Sequence, residues 1–298
     1  MKWQNITSGK MAEAIEISKG VCVLWVGCIE HHGKHLPLGQ DALAGKMAEL
    51  AAEKEPVVVF PEMYFGEKTG AGAFQGTVIF SNRLIFDMLT EICDEIGRNG
   101  FKKIVIVNGH GGNSNLIGNF VRSTLYTPKN YMVMTMRGSS CWPKPADMLE
   151  IIDSGNRSYF PELTDDDIEL IRDVAQKSKE SGHGCFIETA VALGLHPELV
   201  DTSMIGAVDG ISTHRLDGIL KKADVGSPYG WMSDYPNSLE SDYYAGNERI
   251  GRSVVKYAVD KMAEKFKIIK DDNSLEEYHN EWKAKQQLIK DGRWDLLP

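Results

Sequence analysis

The stretch Val21–Val26 is a short, near-continuous apolar run with a β-branched bias, the signature of a strand buried on both faces. Asp41–Glu53 then predicts a helix, with Ala44, Met47, Ala48 and Ala51 on one stripe. Pro56–Phe60 predicts a second buried strand. Gly66–Gly76 is glycine-rich and predicts a loop, with a short strand at Thr77–Phe80 after it. Ser81 is placed to cap a helix carrying Ile85, Met88, Leu89, Ile92 and Ile96, which ends near Gly97–Gly100. Lys103–Val107 is the clearest strand, Asn113 stands where it can cap a helix running to about Tyr126, and Tyr131–Met136 is a further strand. Strands alternating with helices predict an α/β fold with a mainly parallel sheet covered on both faces.

The second half is less regular. Gly138–Thr164 contains Trp142, Pro143, Pro145, Gly155 and Pro161 and reads either as an active-site lid or as a surface insertion. Asp165–Ser181 predicts a polar helix, His183–Leu195 another, and Met204–Val208 a strand. Gly210–Gly246 is polar and shows no clear period. Asn247–Phe266 is amphipathic, with Ile250, Val254, Ala258, Met262 and Phe266 four apart. Ser274 and Glu277 have the spacing of a capping box that opens a final charged helix. The expected organisation is a domain over 1–266 and a C-terminal helical extension over 267–298, packed on that domain or on a neighbouring subunit.

Composition narrows the function. The chain has 298 residues, 42% of them apolar, which is enough for a sizeable core. A formal charge of −9 argues against a nucleic-acid partner. The five cysteines include no C-x-x-C pair, which points to a reducing, cytoplasmic setting rather than a disulfide framework. The sequence shows no secretory signal and no apolar run of membrane-spanning length.

The candidate chemistry lies at two predicted strand ends. In an extended segment alternate residues face the same way, so Glu30 and His32 can face one pocket while His31 faces elsewhere. Asp41 opens the next helix and can turn back to that pocket. His110 follows the third strand, flanked by Gly109, Gly111 and Gly112, which permit close backbone approach. Glu188 would project from the first turn of the helix that begins near His183. Three carboxylates and two imidazoles exceed what one zinc needs and suggest two divalent ions bridged by Asp41. His31 and His35 read as polar groups around the site, Cys185 as a small packed side chain. His196 reads as a helix-start residue, and His214 and His279 carry no local signal. Neither a G-x-G-x-x-G loop nor a G-x-S-x-G elbow is present.

Together these residues resemble the creatininase (creatinine amidohydrolase) family. The resemblance rests on Gly27–Asp41 (GCIEHHGKHLPLGQD), Gly76–Ile79 (GTVI), Val107–Asn113 (VNGHGGN), His183–Thr189 (HGCFIET) and His196–Val200 (HPELV), in the family's order. It implies a three-layer α/β/α sandwich, assembly into homo-oligomers, often hexamers, and two divalent metal ions per subunit (zinc, manganese or iron). It implies that Glu30, Asp41 and His110 hold one ion and that His32, Asp41 and Glu188 hold the other. The implied reaction is cleavage of a C–N bond in a small cyclic or linear amide. Three positions depart from the pattern. Creatinine hydrolases carry a metal-binding carboxylate where this chain has Gly112 and a tryptophan where it has Lys179, and the family as a whole commonly has proline where this chain has Lys34. The first two differences point away from creatinine itself.

The expected mechanism has a water, activated between the ions, attacking the amide carbonyl. His183 is the candidate to pass a proton to the leaving nitrogen, with Glu30 and Glu188 as alternatives. Asn113 would cap its helix or bind substrate, and Trp142 would close over a ligand or anchor its loop. Two other readings stay open. One is a metal-binding paralogue or sensor without catalysis. The other is a single-iron oxygenase built on Glu30, His32 and His110.

Overall fold

A computed structural model describes residues 1–177, 182–241 and 246–293. Four strands, β1 (Val21–Val26), β2 (Val58–Met63), β3 (Lys103–Asn108) and β4 (Met132–Arg137), form one parallel sheet in the order β2-β1-β3-β4. The helices are α1 (Met11–Ile17), α2 (Gln40–Leu43), α3 (Lys46–Lys54), α4 (Asn82–Arg98), α5 (Ser114–Ser123) and α6 (Pro145–Ile151). They continue with α7 (Asp165–Lys177), α8 (Phe186–Leu195), α9 (Asp217–Leu220), α10 (Gly230–Asp234), α11 (Glu248–Asp271) and α12 (Ser274–Lys290).

The central strands β1 and β3 are buried at all six positions. Alternate side chains therefore build two cores. Val21, Val23 and Trp25 pack with α3, α7, α8 and α11, while Cys22, Leu24 and Val26 pack with α4 and α5. The result is the expected three-layer sandwich. Pro61 sits in β2, where the edge position tolerates a missing donor.

Several sequence expectations shift. The Asp41–Glu53 helix is two helices, because bonds from Gly45 N to Ala42 O and from Ala48 N to Gly45 O tighten the chain between α2 and α3. β2 starts at Val58, after Met1 has taken the Val57 carbonyl. Thr77–Phe80 is no strand. Val78 N bonds Ile29 O, but Val78 and Ile79 stay exposed and no ladder forms. Met204–Val208 is also no strand, being a 3-10 turn at Thr202–Met204 followed by further turn. Gly138–Thr164 is largely helical, with α6, a π turn over Ile152–Asn156 and a 3-10 turn over Arg157–Tyr159.

The chain's termini of helices move too. Gly184, at φ +66°, breaks the His183–Leu195 helix, so α8 begins at Phe186. The end of the Asp165–Ser181 helix, with Lys179, lies outside the described residues. α11 continues past Phe266 to Asp271, so the C-terminal extension begins as a separate helix, α12, which buries none of its residues. Ser274 is the first residue of α12 rather than its cap, its hydroxyl donating to Asp272.

Candidate metal centre

The site lies beyond the carboxyl ends of β1 and β3, where parallel sheets place their ligands. Two glycines allow the close approach. A Cβ on Gly27 would stand 2.4 Å from Ala42 N, and one on Gly109 would stand 2.3 Å from Trp25 Nε1. Trp25 Nε1 donates to the Asp41 carbonyl at 2.7 Å and fixes the start of α2 against the sheet. Asn113 stands at the N-cap position of α5, but its side chain makes no capping bond. Buried, it accepts from Glu67 N at 2.6 Å and donates to Val26 O at 3.2 Å, tying the turn after β3 to the end of β1.

Glu30, His32, Asp41, His110 and Glu188 converge. Asp41 Oδ2 accepts from His110 Nδ1 at 2.6 Å, and Glu30 Oε2 lies 3.3 Å from the same nitrogen. The other Asp41 oxygen, Oδ1, is 3.3 Å from His32 Nε2, which in turn is 3.9 Å from Glu188 Oε2. Besides a set of Glu30, His32 and His183, ligand-type atoms among the described residues thus gather in two sets that share Asp41. One is Cys28, Glu30, Asp41 and His110, the other His32, Asp41 and Glu188, each within 4.8 Å. His32 and His110 fall in different sets, which leaves the single-ion arrangement of Glu30, His32 and His110 without a common centre. Each ring is held. His32 Nδ1 is 3.0 Å from Glu30 O, and His110 N donates to Asn108 Oδ1 at 3.1 Å. Glu188 reaches back to accept from Gly184 N at 2.7 Å, and Gln40 donates to its carbonyl.

Burial and mutual charge shift the titrating groups of the cluster in opposite directions. Burial pushes Glu188 up to about 7, with Asp41 and Glu30 adding to the effect against His32. Burial works against protonated His32, yet Asp41, Glu30 and Glu188 outweigh it and raise the imidazole to about 10. Asp41, although buried, is held well below the usual carboxylate range by His32 and His110. Among the described residues, His32 Nε2 and His110 Nε2 are buried without a hydrogen-bond partner. Oxygen and imidazole donors packed this densely fit divalent ions of zinc, manganese or iron type.

His183 joins the same place, and burial beside His32 keeps its ring neutral. Its Nε2 donates to His31 O at 2.8 Å and its ring stacks on His32 at 3.9 Å. The remaining lone pair is therefore on Nδ1. His31 points away and stacks on Phe74, and His35 pairs with Thr189 at 2.9 Å. Cys185 is buried in the core. His196 and His214 pair with the nearby Glu198 and Asp217, and His279 with Lys129 O.

Three contributors were not foreseen. Lys68 Nζ is 2.5 Å from Glu30 Oε1 and lies 4.8 Å from the Trp231 ring centre. Trp231 meets His183 edge-on at 5.1 Å and donates to Glu240. Cys28 Sγ stands 3.2 Å from Asp41 Oδ2. Lys68 comes from a loop and Trp231 from the short α10, both in segments whose composition shows no period. The third sits two residues before Glu30 and was legible by the alternation that singled out His32.

Two clefts reach this cluster. One of about 870 Å³ is lined by Lys68, His183, Tyr229, Trp231 and Met232 and reaches Asp41, His110 and Glu188. The other, about 670 Å³, runs past Arg137, Ser139 and Trp142 to His110 and Glu188. Trp142 therefore lines a cleft, and its buried Nε1 has no hydrogen-bond partner among the described residues.

Comparison with known proteins agrees with this picture. The creatininase family model, described as creatinine amidohydrolase, matches residues 4–266. The creatinine amidohydrolase of Pseudomonas putida is 26% identical over 202 residues, covering 63% of this chain and 70% of that protein. The mycofactocin precursor peptide peptidase of Mycolicibacterium smegmatis is 38% identical over 98 residues, 30% of this chain and 38% of the relative. A 3-dehydro-scyllo-inosose hydrolase of Thermotoga maritima is 28% identical over 111 residues, 37% of this chain and 35% of the relative. The last two matches thus span little more than a third of those proteins. Solved structures share the fold. A putative creatinine amidohydrolase from Bacteroides fragilis superposes with a TM-score of 0.66 at 21% identity, over 92% of this chain and 98% of that one. The neighbours include a manganese creatininase (TM-score 0.58, 21% identity, 91% and 99% covered) and a zinc–zinc variant (0.65, 21%, 91% and 98%).

Proposed function

The chain belongs to the creatininase family, and on that premise we propose that it is a metal-dependent hydrolase cleaving a C–N bond in a small cyclic or linear amide. The observation that carries the reading is the placement of Asp41, whose two oxygens face two different donor sets. In this reading Glu30, Asp41 and His110 hold one divalent ion and His32, Asp41 and Glu188 hold the other. Bound there, such ions acidify a shared water and polarise the scissile carbonyl.

The chain's own groups supply the rest. Asp41 and Glu30 fix the imidazoles, and the substrate enters the wider cleft against Trp231 and Tyr229. His183, neutral and with Nδ1 unprotonated, accepts a proton and delivers it to the leaving nitrogen. Gly112 lacks the carboxylate of creatinine hydrolases, and Glu188 takes that place. Creatinine is accordingly not the expected substrate, and linear amides and formamides are better candidates. Five free cysteines accord with a cytoplasmic, reducing setting. The exposed α12 offers surface for a homo-oligomer, hexameric by family resemblance.

The test is hydrolysis of a panel of creatinine, formamides and short peptides after loading with manganese or zinc. Turnover of any of these that depends on the metal supports the reading. Full metal loading with no turnover across the panel would favour the metal-binding protein without catalysis.

A further inference from the structure

Cys28 is completely buried, and its surroundings are acidic. Its Sγ lies 3.2 Å from Asp41 Oδ2 and 3.7 Å from Glu30 Oε2. His110 Nδ1 lies 3.3 Å from the same Glu30 oxygen and donates to the same Asp41 oxygen. For tetrahedral zinc, with Zn–S of about 2.3 Å and Zn–N or Zn–O of about 2.0 Å, donor atoms stand about 3.3–3.5 Å apart. Three of the four separations fall within a few tenths of an ångström of that. The fourth, 2.6 Å between His110 and Asp41, is closed by a proton that a cation would replace. In this arrangement the S–H of Cys28 and the N–H of His110 both point at Asp41 Oδ2, where a positive charge belongs.

We propose that the Cys28 thiolate is a fourth protein ligand of the ion held by Glu30, Asp41 and His110. The inference rests on the reading of this site as a metal centre and deepens it. It divides the two positions. The first, with four protein donors, would take a water only as a fifth ligand. The second, with His32, Asp41 and Glu188 alone, keeps a coordination place facing the clefts. A thiolate also biases the first position toward zinc or ferrous iron and against manganese or magnesium.

Cobalt substitution tests this without reference to turnover. The metal-free protein is titrated with Co²⁺ and followed in the near ultraviolet, where a thiolate–cobalt bond gives a charge-transfer band. The band is expected to grow with the first equivalent and to stop there. Cys28→Ser is expected to bind two cobalt ions without the band, with first-ion affinity lowered at least about tenfold. Two ions bound by the wild type with no band overturn the ligand assignment and leave the metal centre standing. A band that survives in Cys28→Ser also overturns it. No cobalt bound at all defeats the metal-centre reading itself. If Cys28→Ser does not fold, X-ray absorption of the wild type with one zinc decides. A sulfur scatterer at about 2.3 Å supports the assignment, and a shell of nitrogen and oxygen alone overturns it.

Discussion

The two halves of the site are built differently. Cys28, Glu30, Asp41 and His110 stand on or just beyond the central strands, and none is more than 7% exposed. Lys68, His183 and Glu188 come from loops and the first turn of α8, and their side chains are 11–16% exposed. The first half is positioned by buried bonds, such as Trp25 to Asp41 and Asn113 to Val26, that leave no room for repacking. The second half borders both clefts. Holding metal requires the former character, and accommodating a substrate requires the latter.

Asp41 stands in both donor sets, so its replacement should have the largest effect. Asp41→Asn is expected to lose both ions by elemental analysis and to lower kcat/KM at least about a thousandfold, the loss of several kcal/mol of transition-state stabilisation. Two ions per chain with full activity in this variant would break the comparison at its centre. Glu188→Gln touches only the exposed half. About one ion per chain should remain, and turnover should fall on the order of a hundredfold. Loss of both ions would show that the halves are not separable. Trp231→Ala should leave metal content unchanged and reduce kcat/KM about tenfold, because packing against the substrate and the contacts with His183 and Lys68 are lost while no metal-type donor changes.

The smallest effect is expected far from both halves, at Asp260. This carboxylate accepts from Tyr159 at 2.6 Å and Lys256 at 2.9 Å, and also from Lys54. Burial would raise it, but these donors outweigh that and hold it down at about 2. A lowered folded value means the stabilisation is present above about pH 4 and is lost as the pH falls toward 2. With the side chain 21% exposed, screening leaves about 1 kcal/mol of stability. Asp260→Asn should lower Tm at pH 7 by a few degrees and flatten its decline between pH 4 and 2, with metal content and turnover unchanged.

The same division explains what the sequence revealed. Buried strands announce themselves by unbroken apolar runs, so β1 and β3 and the ligands at their ends were legible. Glu30, His32, Asp41, His110 and Glu188 lie in overlapping sets that share Asp41. Lys68 and Trp231 were not legible, because a loop and a helix as short as α10 carry no period and their partners are distant in the chain. Thr77–Phe80 misled through its β-branched residues, since a strand also needs a neighbour to pair with. Gly138–Thr164 misled in the other direction. Its prolines and glycine suggested irregular chain, yet Pro145 sits in the first turn of α6 and Gly155 takes a φ of +88° inside the π turn.

Both openings end on His110 and Glu188. A guest longer than either chamber can therefore lie across the metal centre with an end in each. On the proposed reading, girth beside His110 and Glu188, rather than total length, would set which molecules are admitted, and slender chains would be handled in preference to bulky compact rings of equal mass.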